Sequence, residues 1–346
     1  MRRQLNSIYV TTEGAWLHKD GANIVMEVEK EIRARLPAHM IESIVCMGRV
    51  LVSPPLLGYC AENGITVSYL STGGRFLARV EGPVSGNVLL RREQYRRSDD
   101  ETACAAIVRN LLAGKIFNQR VVVNRALRDY QSELDEPAAN ALKTVQQRQK
   151  RIIDQLPFEP QLNALRGLEG EAAQRYFGIF DHFIRNENPF MRFSGRNRRP
   201  PKDAMNALLS LFYTLLTHDC RAALETVGLD PAVGFLHRDR PGRPSLALDL
   251  AEEFRPLLGD RLGLSLINRK QLDKRDFRVM DNGAVLLTDE GRKTALIAYQ
   301  ERKKESLRHA FLEESVPIGL LPAIQAQLLA RHIRGDLNAY PPFLWK

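Results

Sequence analysis

The sequence predicts an α+β protein: a small N-terminal β-rich domain, residues 1–84, followed by a larger all-α domain, residues 85–346. Three observations predict it. Residues 7–80 hold short runs of β-branched and aromatic residues, separated by turn dipeptides such as Asp20-Gly21. Residues 81–87, EGPVSGN, form a break rich in Gly, Pro and Ser. Beyond it, apolar residues recur at helical spacing. Strands first and helices afterwards is the α+β pattern.

Within the first domain, residues 7–11 and 15–19 read as strands, and Asp20-Gly21 turns the chain into a returning strand at 22–28. Residues 41–46 are a further apolar run. Pro54-Pro55 opens a helix that Asn63-Gly64 ends. In 65–70, Ile65, Val67 and Tyr69 alternate with Thr66 and Ser68, and Gly73-Gly74 then leads into 76–80. In the second domain, 88–97 reads as a basic helix, and 99–114, 117–130 and 137–155 keep the helical spacing until Pro157 and Pro160 break it. Residues 162–183 follow as a helix, and 186–201 as a basic, aromatic loop. Residues 203–227 are the most apolar helix and the candidate core. One hairpin, 278–280 with 284–287 across Asp281-Asn282-Gly283, interrupts the helices, which resume from 291 to 333. The tail NAYPPFLWK has no regular period.

The formal net charge is +9, an excess that points to nucleic acid or an anionic surface as partner. Basic residues cluster at 91–97, 192–202, 238–243, 269–278 and 302–308, with Tyr or Phe interleaved in two of the runs. One such run alone describes a solvated face; five in one domain favour a nucleic-acid surface. Candidate backbone contacts are Arg192, Arg196, Arg238, Arg243, Lys270, Lys274 and Arg275. Cys46, Cys60, Cys104 and Cys220 show no CxxC spacing, so neither a zinc ribbon nor a disulfide framework is expected. No apolar stretch follows the basic start as in a signal peptide, and none is long enough to span a bilayer, so a cytoplasmic protein without membrane contact is expected. The absence of a Walker A loop and of GxGxxG argues against nucleotide-dependent chemistry.

The stretch from 227 to 256, VGLDPAVGFLHRDRPGRPSLALDLAEEFRP, is where chemistry concentrates. His237 ends an apolar approach to a loop of Arg, Pro and Gly. A helix then opens near Pro244, with Ser245 as its cap, and places Asp249 and Glu252 three residues apart on one face. Upstream, Glu169 stands between Gly167 and Gly170. Two glycines in a helix cost roughly 1 kcal/mol each against alanine, and close approach of another backbone is the usual compensation. Each group alone has a plain reading: Glu169 as an exposed acid paired with Arg166 or Arg175, His237 as a loop residue, Asp249 and Glu252 as first-turn acids favoured by the helix dipole. Together, one imidazole and carboxylates from separate segments suit a divalent ion, with Mn²⁺ at least as fitting as Mg²⁺. Such an ion polarises a phosphate oxygen and activates a hydroxyl or water.

Four segments in order, LRGLEGEAAQRYF, DAMNALLSLFYTLL, DPAVGFLH and LALDLAEEFRP, resemble the CRISPR-associated adaptation integrases, the first of the numbered Cas families. The likeness spans 169–256, and the tail YPPFLWK is similar to that of subtype I-C members. The resemblance implies a β domain that pairs two copies and a helical domain that is catalytic and binds DNA. It assigns the metal, Mn²⁺ or Mg²⁺, to Glu169, His237 and Glu252, and matches Asp249 to a further acid, which, nearer the helix start, can steer His237 or a metal-bound water. It further implies a homodimer, a Cas-two dimer as partner, double-stranded DNA as substrate and, in subtype I-C, often a Cas-four nuclease. The implied reaction is insertion of short foreign DNA into a repeat array by attack of a 3′-hydroxyl on a phosphodiester. Two other readings stay open on residues alone: a hydrolytic metal nuclease acting on branched DNA, and a non-catalytic DNA-binding scaffold.

Overall fold

The structure, a computed structural model, describes residues 7–72, 76–80, 82 and 88–345. The Gly73-Gly74 turn, the boundary at 84/85 and, apart from Gly82, the break at 81–87 lie outside the described residues. The first region contains β1 (Ser7–Val10), β2 (Trp16–Asp20), β3 (Asn23–Val28), β4 (Glu31–Pro37), β5 (Ser43–Met47), β6 (Leu51–Val52), α1 (Pro54–Glu62), β7 (Thr66–Leu70) and β8 (Phe76–Val80). One four-stranded sheet has the order β1-β5-β7-β8, with β1, β5 and β7 parallel; the other has the order β4-β3-β2-β6. The turn at Asp20-Gly21 joins β2 to β3 as expected. β4 escaped the sequence reading because EIRARLP carries charge at alternate positions, as an edge strand does.

β5 shows how the two regions pack on opposite faces of one sheet. Ile44 and Cys46 point into a core with Leu17, Ile24, Leu56 and Val67. Val45 and Met47, one step out of phase, join Leu70 in the core of the helical region. A strand buried on both faces reads as a continuous apolar run, which is why it gave no alternation.

The second region holds α2 (Val88–Asp99), α3 (Glu101–Asp129), α4 (Glu136–Gln155), α5 (Leu162–Gly178), α6 (Ala204–Val227), α7 (Ser245–Ala251) and α8 (Arg261–Asn268). The hairpin β9 (Phe277–Val279) and β10 (Val285–Leu287) comes next, then α9 (Asp289–Lys304), β11 (Ser306–Arg308), β12 (Ser315–Pro317) and α10 (Leu321–Arg334). It is therefore helical but not all-α: the expected helix run from 291 to 333 is broken by the β11–β12 hairpin. Gly114 does not interrupt α3, which runs unbroken as a single helix of 29 residues. The side-chain face missing at Gly114 is where Pro342 and Glu253 press against the helix. α5 ends at Gly178, and a 3-10 turn, Phe180–Phe183, replaces its expected last turn. α6 is the central helix, capped by Asp203 on Asn206 N–H and closed by left-handed Gly228.

Candidate active site

The site forms where α3, α5, α6 and the chain around α7 meet. A cavity of about 160 Å³ is lined by Glu169, His237 and Glu252, together with Lys115, Gln119, Arg198, Tyr213 and Arg255. Glu169 comes from the middle of α5. Gly167 and Gly170 beside it are exposed and nothing lies within 4 Å of where a side chain would start, so the expected close approach of another backbone is not there. The glycines leave open surface flanking the acid. Glu169 pairs with neither Arg166, which donates to Leu236 O at 2.9 Å, nor Arg175, which donates to Glu171.

His237 lies within the connection 228–244 between α6 and α7. Gly234 lets that connection lie against α7: a side chain there would meet Ser245 Cβ at 2.8 Å and Asp249 Oδ2 at 2.9 Å. α7 begins at Ser245, so Pro244 takes the cap position without a capping bond, and Ser245 Oγ instead donates to Arg238 O. Asp249, fully buried, gathers the approaching chain. Its Oδ2 accepts from Phe235 N–H at 2.7 Å and Leu236 N–H at 3.0 Å, and its Oδ1 from His237 N–H at 3.0 Å. Oδ1 also lies 2.5 Å from His237 Nδ1. A carboxylate there can only accept, so Nδ1 carries a proton, and in the neutral ring Nε2 presents its lone pair. Nε2 has no hydrogen-bond partner among the described residues.

α7 stops at Ala251, and Glu252 continues its turn as the C-cap in helical conformation, keeping the three-residue spacing to Asp249. A π-helical stretch, Arg255–Asp260, follows. Within it Gly259 admits the Tyr213 ring, which a side chain at 259 would strike at 2.4 Å. The ring lies 4.8 Å beneath the Arg255 guanidinium, and its hydroxyl donates to Asp260 Oδ1 at 2.5 Å. Arg255 is thereby aimed at Glu252 Oε1, with which it is hydrogen-bonded.

Two buried cations face the two acids, and sequence reasoning found neither. Lys115, inside α3, is hydrogen-bonded to Glu169 Oε1 and sits 2.8 Å from Glu252 Oε2. That second contact is an ion pair without hydrogen-bond alignment, so Oε2 remains a buried oxygen with no hydrogen-bond partner. Burial alone would push the Lys115 ammonium down; the carboxylates of Glu252 and Glu169 outweigh it and hold the pKa above its ordinary value. Burial likewise opposes ionisation of Glu252, but neighbouring positive charge, chiefly Arg255 and Lys115, brings it down to about 2. Glu252, enclosed as it is, stays ionised at neutral pH only because these cations are present. The only sequence signal was Lys115 itself, a lone lysine in the apolar run LLAGKIF.

As a metal site the donor set fits: two carboxylates and one imidazole nitrogen without a hydrogen-bond partner line a single polar cavity. Among the described residues no three of His, Cys, Asp and Glu are drawn together as a closed ligand set. Lys115 stands between two of them.

The candidate DNA contacts fall into two groups. Arg192, Arg238, Lys270, Lys274 and Arg275 are exposed. Arg192 is paired with Asp181, Arg238 reaches Asn163 Oδ1 at 3.3 Å, and Lys274 lies over the Phe190 ring. Arg243 is half-buried. Arg196 points inward, donating to Asn206 Oδ1 and Asn197 O at 2.6 Å and stacking over Tyr213, which makes it part of the scaffold behind the cavity. Arg198, not singled out from sequence, lines the cavity.

A β-rich region followed by a helical one is the fold of a solved CRISPR-associated Cas1 protein. A Cas1 protein from Thermotoga maritima superposes with a TM-score of 0.79 at 22% identity, over 95% of this chain and 97% of that one. The chain belongs to the Cas1 family: the family profile described as CRISPR associated protein Cas1 matches residues 8–301. A CRISPR-associated endonuclease Cas1 of Rhodospirillum rubrum is 58% identical over 347 residues, covering all of both chains. A CRISPR-associated exonuclease Cas4/endonuclease Cas1 fusion of Geobacter sulfurreducens is 35% identical over 97% of this chain and 60% of the fusion. No described helix is long and apolar enough to cross a membrane.

Proposed function

We propose that this chain is a divalent-metal-dependent DNA endonuclease and integrase of CRISPR spacer acquisition. In this reading the 3′-hydroxyl of short foreign DNA attacks a phosphodiester at the edge of the repeat array. The observation that carries the reading is the meeting of Glu169, His237 and Glu252, from three separate segments, on one polar cavity; family membership supplies the reaction class. These three residues would hold Mn²⁺ or Mg²⁺. When bound, the ion supplies a Lewis acid for the scissile phosphate and lowers the pKa of the attacking hydroxyl. The chain's own groups do the rest. Asp249 keeps the proton on His237 Nδ1 and leaves Nε2 as a ligand. Arg255 and Arg198 border the cavity with positive charge suited to a phosphate. The exposed Arg192, Arg238, Lys270, Lys274 and Arg275, with Arg243, would hold DNA backbone with little base preference.

The partners belong to the same reading. The first domain, residues 1–84, would pair two copies: β4 is a sheet edge bearing exposed Ile32 and Leu36. A Cas-two dimer would join two such pairs. The Geobacter fusion supports a Cas-four nuclease as further partner, and the tail's similarity supports subtype I-C.

The test is a strand-joining reaction with a synthetic repeat and short duplexes carrying free 3′-hydroxyls, run with Mn²⁺, Mg²⁺ or chelator. Glu169→Ala, His237→Ala and Glu252→Ala should each abolish joining while DNA binding persists. Cleavage without joining would favour a hydrolytic nuclease. Activity indifferent to chelator and to all three substitutions would leave only a DNA-binding scaffold.

A further inference from the structure

Glu169 and Glu252 face each other across the cavity with the Lys115 ammonium between them. The lysine is no surface residue that has strayed inward. It sits inside α3 between Gly114 and Ile116, and its side chain is 6% exposed, against 4% for Glu252 and 28% for Glu169. Two carboxylates brought together in a poorly hydrated cavity repel, and one of them would take up a proton unless a cation intervened. Glu252 is engaged on both sides, Oε1 by Arg255 and Oε2 by Lys115. A metal ion therefore cannot reach both acids without dislodging one of these cations. Arg255 is clamped over Tyr213, whereas Lys115 hangs on a flexible stem.

We propose that Lys115 holds the place of the metal: its ammonium bridges Glu169 and Glu252 in the metal-free protein, and a divalent ion binds by displacing it. This rests on the reading that Glu169, His237 and Glu252 form the metal site. The place for the displaced ammonium is also visible. Gln119, one turn further along α3, lines the same cavity, and its Oε1 is buried without a hydrogen-bond partner. A lysine swinging along the helix would find there a neutral acceptor that does not compete for the metal. An unpartnered buried carbonyl oxygen is otherwise unfavourable, and a part-time partner accounts for it.

The arrangement has consequences apart from catalysis. It holds the two carboxylates on either side of one cation before metal arrives, so the site is preformed. It also sets metal affinity, because binding must overcome an existing ion pair and then proceed beside a positive charge. Removing that charge should tighten Mn²⁺ binding roughly tenfold or more.

The experiment compares full-length wild type with Lys115→Met, without DNA, measuring Mn²⁺ affinity by the loss of the free-ion electron paramagnetic resonance signal and the thermal midpoint with and without Mn²⁺. Lys115→Met should have a lower midpoint than wild type in chelator, regain it as Mn²⁺ is added, and bind Mn²⁺ at least tenfold more tightly. A second variant guards against simple misfolding. In a Glu169→Gln background the acids no longer repel, so adding Lys115→Met should lower the metal-free midpoint far less than it does in wild type. If Lys115→Met costs the same in both backgrounds, or fails to fold in both, Lys115 is merely a packed core residue and the proposal is overturned. If wild type and Lys115→Met bind Mn²⁺ with equal affinity, it is also overturned while the metal site stands. Wild type that binds no Mn²⁺ would instead remove the metal reading on which it rests.

Discussion

Asp249→Asn separates holding the histidine from holding the metal. The substitution changes one atom in a fully buried group that satisfies three backbone N–H donors and one ring nitrogen. Asparagine keeps one oxygen and gains an NH₂, so one side of the group becomes a donor. If the NH₂ replaces Oδ2, the N–H groups of Phe235 and Leu236 lose their acceptor. At about 1–3 kcal/mol for each orphaned donor, that orientation costs about 2–6 kcal/mol. If it replaces Oδ1, only His237 N–H is orphaned, at about 1–3 kcal/mol, provided the ring moves its proton from Nδ1 to Nε2 and accepts at Nδ1. The second orientation is cheaper, so the variant should fold and lose about 1–3 kcal/mol in urea unfolding. Its price is functional: with the proton on Nε2 the imidazole no longer offers a lone pair to the cavity.

The expected result is a loss of joining of roughly 10–100-fold, partly recovered at high Mn²⁺ because the ion draws the tautomer back. Glu252→Ala, which removes an oxygen ligand outright, should not recover at any Mn²⁺ concentration. The assay is strand joining across a Mn²⁺ titration, paired with urea unfolding and with ring carbon chemical shifts of His237 to identify its tautomer. An Asn variant with wild-type stability and rate would refute the reasoning. So would a folded, inactive variant that still carries its proton on Nδ1 and ignores Mn²⁺; that outcome would make Asp249 a metal ligand in its own right.

Two further predictions concern how the site is supported. Asn118 donates to Glu253 O at 2.8 Å and Phe343 O at 3.0 Å and accepts from Trp345 N–H, tying the tail to the residue after Glu252; Asn118→Ala should lower the joining rate with DNA affinity unchanged, and equal losses in both would refute this. His218 joins the two regions, with Nδ1 3.4 Å from Ser68 Oγ and its ring 5.0 Å from Phe76. Burial, helped by Arg221 and Arg79 and opposed by Asp219, pushes its pKa from 6.5 down to about 4. Its contribution to stability is therefore complete above pH 6.5 and disappears as pH falls through 4, a change of about 3 kcal/mol at most. Urea midpoints between pH 7.5 and 4 should fall less steeply in His218→Gln, and parallel curves would exclude His218 as a source.

Much of the fold was legible because its signals are local. Asp20-Gly21 fixed a hairpin, Pro54 a helix start, and Asn282-Gly283 the turn between β9 and β10. What was misread depends on neighbours distant in sequence. Residues 99–114 and 117–130 read as two stretches of helical spacing, yet α3 runs through both, and Gly114 makes room for Pro342, more than two hundred residues away in the chain. The pair at 167 and 170 suggested such a close contact too, and there the surface is open. A glycine records that a side chain is missing without saying whether protein or solvent fills the space. β11 and β12, three residues each, are too short to show a period.

The same asymmetry governs the site. Acids and a histidine announce themselves in a sequence because their spacing limits where they can point: Asp249 and Glu252 share a face, and His237 lies one short connection away. Lysine and arginine carry no such signal, since most are solvated and a buried one looks the same on the page. Yet Glu252 is fully enclosed and stays ionised only through Arg255 and Lys115. Arg255 in turn depends on the Tyr213 ring, which depends on the missing side chain at Gly259. Glu169 and Glu252 are opposed by Lys115 and Arg255, and such pairing is the condition under which charges can be buried at all. Of the negative half, spacing placed Glu252 and the family resemblance added Glu169; the positive half shows only in the packing of α3 against the turn that follows α7.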